Sequence, residues 1–256
     1  MNYMKKKFFT FLGLVTLISC QNEEIKTKST DESGFTAFKK EWINSKLESS
    51  LSKNDGNTIC YLFPKNDLTH LQENVQLRQF RFVLGLTDGK LDLKTEGVDT
   101  NGKSLGIINS VINTDQKISH QVNELSLSKR KFNSDNELMR KHLLIPNLAF
   151  DYINKWNKKL IEKKDINTIV SYDGVRINHF SIEKEVIDEI SKSSKFEYLG
   201  ILLGINSEGK LTTVMLGLDK EKNFVFFSSS TSKYTNDDPE AIYDFSKPCP
   251  NTCDPQ

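Results

Sequence analysis

The sequence predicts an α+β fold in which a helix–strand–helix–three-stranded-meander pattern occurs twice, as two similar halves packed together. Three observations lead there. Apolar residues recur at helical spacing around each of the two tryptophans. Short apolar runs end at Asp-Gly or Glu-Gly pairs, which punctuate hairpins. Finally, 82–99 (FVLGLTDGKLDLKTEGVD) aligns with 201–219 (ILLGINSEGKLTTVMLGLD). With one gap, opposite Glu208, seven of eighteen paired positions are identical. Such self-similarity is the mark of an internal repeat.

The elements follow in order. A first helix carries Phe38, Trp42 and Leu47 on one face, and its counterpart carries Ile153, Trp156, Leu160 and Ile161. Segment 38–50 resembles 150–162, and 58–66 resembles 176–184. A short apolar strand comes next, at 59–63 or 177–180. A second helix follows, with Pro64 in its first turn in one half and Ser181 as its N-cap in the other. Val186, Ile187 and Ile190 form its apolar face. The hairpin then turns at Gly89 or Gly209, residues free to take positive φ. A further turn, 99–102 or 219–223, leads to a third strand at 105–112 or 224–228. In the first half the opening hairpin strand alternates, with Phe80, Phe82, Leu84 and Leu86 opposed to Arg81. In the second half 199–203 and 214–218 are apolar on both faces, which predicts two-sided burial. The polar stretch 128–137 reads as a link. The expected boundaries are a first repeat at 36–128, a linker at 129–147, a second repeat at 148–245 and a Cys/Pro tail at 246–256.

Composition excludes some classes of function. Lys plus Arg is 35 and Asp plus Glu is 34, a net charge of +1, which is not the charge of an electrostatic nucleic-acid binder. The cations are 30 Lys and 5 Arg, and few Arg leave little bidentate phosphate recognition.

The N-terminus carries the most specific signal. Lys5, Lys6 and Lys7 precede an apolar run of twelve residues, 8–19, too short to span a bilayer and right for a signal-peptide core. The run ends Leu17-Ile18-Ser19-Cys20. This resembles the lipobox of bacterial lipoproteins. The resemblance implies a signal peptide at 1–19, cleavage before Cys20, and a thioether from Cys20 to diacylglycerol with palmitate-type chains. Two or more such chains anchor stably. Gln21-Asn22-Glu23-Glu24 is similar to the surface-export signal of Bacteroidota lipoproteins, and the Cys/Pro-rich C-terminus is similar to that of their surface lipoproteins. The implied location is the outer membrane, facing the cell surface, with the periplasmic face as the alternative. Residues 20–35 then form a lipidated polar tether.

Outside the cytoplasm, Cys249 and Cys253 are expected to form a local disulfide, with half a metal site as the alternative. Cys60 lies in an apolar run and reads as a small buried hydrophobe rather than a catalytic thiol.

Several motifs invite a sharper reading. Gly97, Gly102, Lys103 and Ser104 match GxxxxGK[ST], whose backbone cradles phosphates. Against it, the preceding 91–96 is amphipathic, the following 105–112 is β-branched, and the counterpart 217–223 lacks the GKS. A turn between strands explains both copies. Residues 102–106 also fit GxSxG, but in a turn-to-strand context that a nucleophile elbow does not have. His70, His120, His142 and His179 form no two-His ligand pair and read as surface or satisfied polar groups. Trp42 and Trp156 could stack on sugars but read as core anchors. Asp237, Asp238, Glu240 and Asp244 could hold Ca²⁺ and read as a solvated loop.

The resulting expectation is a membrane-anchored, non-enzymatic binding or interaction module. It is held by lipid at Cys20, takes a protein or glycan ligand, and has no catalytic residue, cofactor, metal or nucleic acid. The alternatives are an envelope hydrolase with a site assembled from distant residues, and a nucleotide binder through 97–104.

Overall fold

Two antiparallel sheets packed face to face, with helices on their outer sides, make an α+β fold. The computed structural model describes residues 32–47, 51, 58–128, 137–225, 242–243 and 247–249. The chain begins with α1 (Glu32–Asn44), β1 (Cys60–Pro64) and α2 (Lys65–Gln72). The hairpin β2 (Gln79–Thr87) and β3 (Lys90–Val98) follows, then β4 (Ser104–Asn109), β5 (Val111–Asn113) and α3 (Gln116–Leu125). Next come α4 (Glu137–His142), β6 (Leu143–Leu144), α5 (Pro146–Glu162), α6 (Ile166–Ile169), β7 (Ser171–Tyr172) and β8 (Val175–Arg176). The last stretch is β9 (His179–Glu183), α7 (Lys184–Ile190), β10 (Tyr198–Ile205), β11 (Leu211–Leu218), β12 (Phe224–Val225), β13 (Ile242–Tyr243) and β14 (Lys247–Cys249).

One sheet runs β5-β1-β10-β11-β13-β6, with β12 also on β11; the other runs β14-β9-β2-β3-β4. Strands β1 and β5 therefore sit in the sheet built on β10–β11, while β9 and β14 sit in the sheet built on β2–β3. The two halves do not pack as separate units: each lends strands to the other's sheet. The register is reciprocal. Cys60 pairs with Leu202 and His179 with Val83, both shifts of 119 residues. Lys65 N–H donates to Glu197 O, and Lys184 N–H donates to Arg78 O, the same 119-residue step.

Alternation fixes which side chains meet between the sheets. Phe80, Phe82, Leu84 and Leu86 of β2 face Tyr61 and Phe63 of β1 and Leu199, Ile201 and Leu203 of β10 in one core. The Phe63 and Phe82 rings lie 6.0 Å apart. The outer face of the first sheet presents Cys60, Leu62, Leu202, Val214 and Leu216 to Ala149, Tyr152 and Ile153 of α5 and to Ile118 and Val122 of α3. The outer face of the second presents Val83 to Phe35 and Phe38 of α1. Strands β10 and β11 are buried on both faces over nearly their whole length, whereas β3 alternates only over 93–97.

Local chemistry explains most element ends. The Asp88-Gly89 turn has φ of 52° and 70°, the two positive values a tight hairpin needs. Asp115 caps α3, its side chain accepting from Lys117 N–H. Ser181, expected as an N-cap, lies buried inside β9; Glu183 occupies the N-cap of α7. Pro64 likewise ends β1 and precedes the first turn of α2. The strand expected over 105–112 breaks at Ser110, where the chain leaves one sheet for the other. Ser110 Oγ donates to the buried carboxylate of Asp92 at 2.6 Å, and Thr87 Oγ1 does so at 2.8 Å, pinning that corner. Within the expected 129–147 linker, 137–144 form α4 and β6. No helix of the described residues is long and apolar enough to cross a membrane.

Candidate functional site: a cationic cleft at the end of the first helix

The segment between α5 and β9 builds a cleft of about 720 Å³. Helix α5 ends at Lys163 with φ 53°, and Asp165, with φ 60°, redirects the chain into α6. Ile166 and Ile169 fasten α6 to the core. Asp173 and Gly174, with φ of 48° and 79°, close the tight β7–β8 hairpin. The side chain of Asn206 accepts from the Glu208 and Lys210 N–H groups, which shapes the β10–β11 turn and presents Lys210.

Two cations frame the cleft, and both are tied to the framework. Arg176 Nη1 donates to Trp42 O and to Ser45 O at 3.1 Å, and Nη2 donates to Asn167 Oδ1 at 3.2 Å. It thereby satisfies carbonyls at the end of α1, where a cation is also favoured by the helix dipole. Its guanidinium lies 5.4 Å from the Trp42 ring. Lys210 Nζ donates to Thr168 O at 2.8 Å and Ser171 O at 2.7 Å and lies 5.2 Å from the Tyr172 ring. Burial pushes the Tyr172 hydroxyl above its ordinary range, helped by the nearby Glu208 carboxylate. Asp173 contributes one negative charge, while Ile43 and Val175 place exposed aliphatic surface at the rim. Through Arg176 and Lys210 the cleft offers positive charge and hydrogen-bond donors.

The residues singled out in the sequence are scattered. Gly97 lies in β3 and Ser104 opens β4, and the residues between form a turn. Asp99 N–H donates to Lys103 O, Gly102 N–H donates to Asp99 O, and the Asp99 side chain accepts from Asn101 and Lys103 N–H. Residues 219–223 repeat this turn with Lys222 at the positive-φ position of Gly102. A strand follows the GKS, whereas a P-loop opens a helix. Trp42 and Trp156 are buried, so their rings are not sugar platforms. Cys60 is fully buried, and burial pushes its thiol up to about 12. Cys249 is disulfide-bonded. Cys20, Cys253 and the acidic group Asp237, Asp238, Glu240 and Asp244 lie outside the described residues. Among the described residues no cluster of three or more His, Cys, Asp and Glu could hold a metal ion.

His142 is the one histidine that is buried. Its Nε2 lies 3.3 Å from Glu183 Oε2, and Lys247 Nζ donates to Glu183 Oε1 at 2.8 Å. The close approach of His142, with Lys247 adding to it, brings the Glu183 carboxyl down to about 2. A carboxylate held below its unfolded value of 4.5 stabilises the fold fully above that value. The contribution is lost as pH falls from there through 2. Glu183→Gln is expected to be less stable than the parent at pH 6, with the difference closing toward pH 2. Urea unfolding at both pH values measures it, and a gap of the same size at both would refute the assignment.

The cleft could not be read beforehand, because its lining comes from residues 43, 167, 168, 171, 173–176 and 210, brought together only by the fold. The Asp173-Gly174 pair was the available signal for its central hairpin. No family model, no curated protein and no solved structure matches the chain.

Proposed function

We propose that this protein is an internally duplicated lipoprotein, anchored to the outer membrane through Cys20 and facing the cell surface. It acts as a non-enzymatic binding module whose ligand occupies the cleft beside α1. The observation that carries this reading is the pairing of Arg176 and Lys210 with exposed Ile43 and Val175 in a single open cleft. One Asp against two cations leaves a net positive charge, which suits a carboxylate-bearing ligand with an apolar edge. On a cell surface an acidic glycan has that chemistry. The lipobox and the acidic residues after it support the location.

Uronic-acid oligosaccharides and their neutral counterparts, titrated by calorimetry, test the ligand class. Binding of the acidic series alone, weakened about tenfold by Lys210→Gln and reduced by salt, is the expected result. Equal binding of both series, or none of either, removes the cleft as an anion seat. Protease shaving of intact cells, with the mass of the N-terminal peptide, tests the anchor and the leaflet separately.

A further inference from the structure

We infer that β5 is the contact between two copies of this chain, which join edge to edge as an antiparallel strand pair about a two-fold axis at Ile112. Strand β5 ends the order β5-β1-β10-β11-β13-β6, and among the described residues no strand pairs with its outer side. Val111 is 53% exposed there and Ile112 42%.

The direction of the main-chain groups follows from the register. Lys65 N–H donates to Glu197 O, the bond beside the Pro64–Tyr198 pair. Backbone groups alternate sides along an antiparallel strand, so Phe63 and Tyr61 bond to β10, while Leu62 and Cys60 turn to β5. Their partners there are Val111 and Asn113. Ile112, opposite Tyr61, therefore turns its N–H and C=O outward, one donor and one acceptor on an open edge. Two copies related by a two-fold axis satisfy both groups at once. The Ile112 N–H of each copy donates to the Ile112 C=O of the other, and the two exposed side chains come together on one face.

Charge argues for a second copy as the occupant. A two-fold contact sets a surface against itself, so a charge near the axis meets its like. Residues 104–114 (SLGIINSVINT) carry no charge, in a chain with 35 basic and 34 acidic residues. Edges that must stay single are blocked by Lys, Pro or a bulge. Strand β14, at one end of the other sheet, has Lys247 and Pro248, and β4, at its opposite end, is paired through a register shift at Gly97–Val98. Strand β5 has none of these. An assembly with two clefts holds a repeating ligand by avidity, a consequence that rests on the function proposed above.

Opposed residues of a hydrogen-bonded antiparallel pair have Cα atoms about 5.5 Å apart, within disulfide reach. In the full chain in intact cells, Ile112→Cys is expected to form a disulfide-linked homodimer on mild oxidation, identified by peptide mass. Val75→Cys, at a residue 92% exposed between α2 and β2, is the control and should stay uncoupled. Equal cross-linking of the two, or none at Ile112→Cys, overturns the proposal. So does a product joining Ile112→Cys to a different protein, which would make β5 a docking edge for a foreign strand. The purified protein supplies a second readout without an added thiol. Sedimentation is expected to give a concentration-dependent dimer. Ile112→Lys sets two ammonium groups against each other at the axis and should weaken that dimer at least tenfold, with the unfolding midpoint near that of the parent. A monomer at every concentration, or a dimer that Ile112→Lys leaves intact, overturns it. Neither experiment reads a ligand, so failure of the dimer and failure of the cleft are distinguishable.

Discussion

Trp42→Ala is expected to destabilise the fold by about 3–5 kcal/mol, the range for emptying a buried aromatic site. Trp42 is fully buried, and its Nε1 donates to Ile177 O at 2.7 Å across 135 residues. Its backbone carbonyl accepts from Arg176, whose guanidinium also lies beside the ring. One side chain thus joins α1, from the first half, to the segment leading into β9, from the second. Alanine leaves a cavity and a buried carbonyl without its donor. Trp42→Phe keeps most of the ring but not the donor, and should cost about 1–3 kcal/mol. Chemical denaturation of the three proteins measures both. A loss under about 1 kcal/mol for alanine would show that the site collapses freely and that Trp42 is not the joint described. Because Arg176 lines the cleft, the same variant should also weaken any ligand seated there.

Gly204→Ala is the second large effect, expected at about 1–3 kcal/mol for one added methyl group. A Cβ at Gly204 would lie 2.8 Å from Tyr152 Cβ and 3.1 Å from the Tyr152 carbonyl carbon. Those atoms belong to the helix itself, so no side-chain rotation relieves the clash. Helix α5 must retreat from β10, loosening the Ala149–Ile153 contact over the whole sheet face. The measured quantity is the thermal or denaturant midpoint. An unchanged midpoint would mean that α5 is not seated as closely as this geometry requires.

Some of the fold was legible in the sequence because its causes are local. Asp88-Gly89 turns where it must, since those residues tolerate φ of 52° and 70°. The helical spacing of Ile153, Trp156 and Leu160 placed the buried face of α5 correctly, whereas Ile161, expected on that face, is exposed because it falls one residue past Leu160 and points to solvent. Continuous apolarity at 199–203 and 214–218 matched burial on both faces. Helix α3 was legible too, from Asp115 followed by Ile118, Val122 and Leu125, but a pattern of repeated halves left no place for it.

What stayed hidden is everything that depends on a partner. The run Cys60–Pro64 says that it is a buried strand, but not that it pairs with β10 of the other half. Alternation sets which face is covered, and hydrogen bonds to any apolar strand would satisfy the backbone equally. Ser181 is equally good as a cap or as a buried strand residue, and only its place opposite Arg81 and Lys247 decides. Arg176 and Lys210 look like surface charges until carbonyls distant in sequence are brought against them. By itself the sequence determined the α+β class, the tight turns and the apolar faces, because these follow from backbone sterics and side-chain periodicity within a few residues. The exchange of strands between halves and the cleft beside α1 were decided by the tertiary structure. They rest on contacts between segments distant in sequence, such as Lys210 with Ser171 across 39 residues and Trp42 with Ile177 across 135, whose energy exists only once both surfaces have left water.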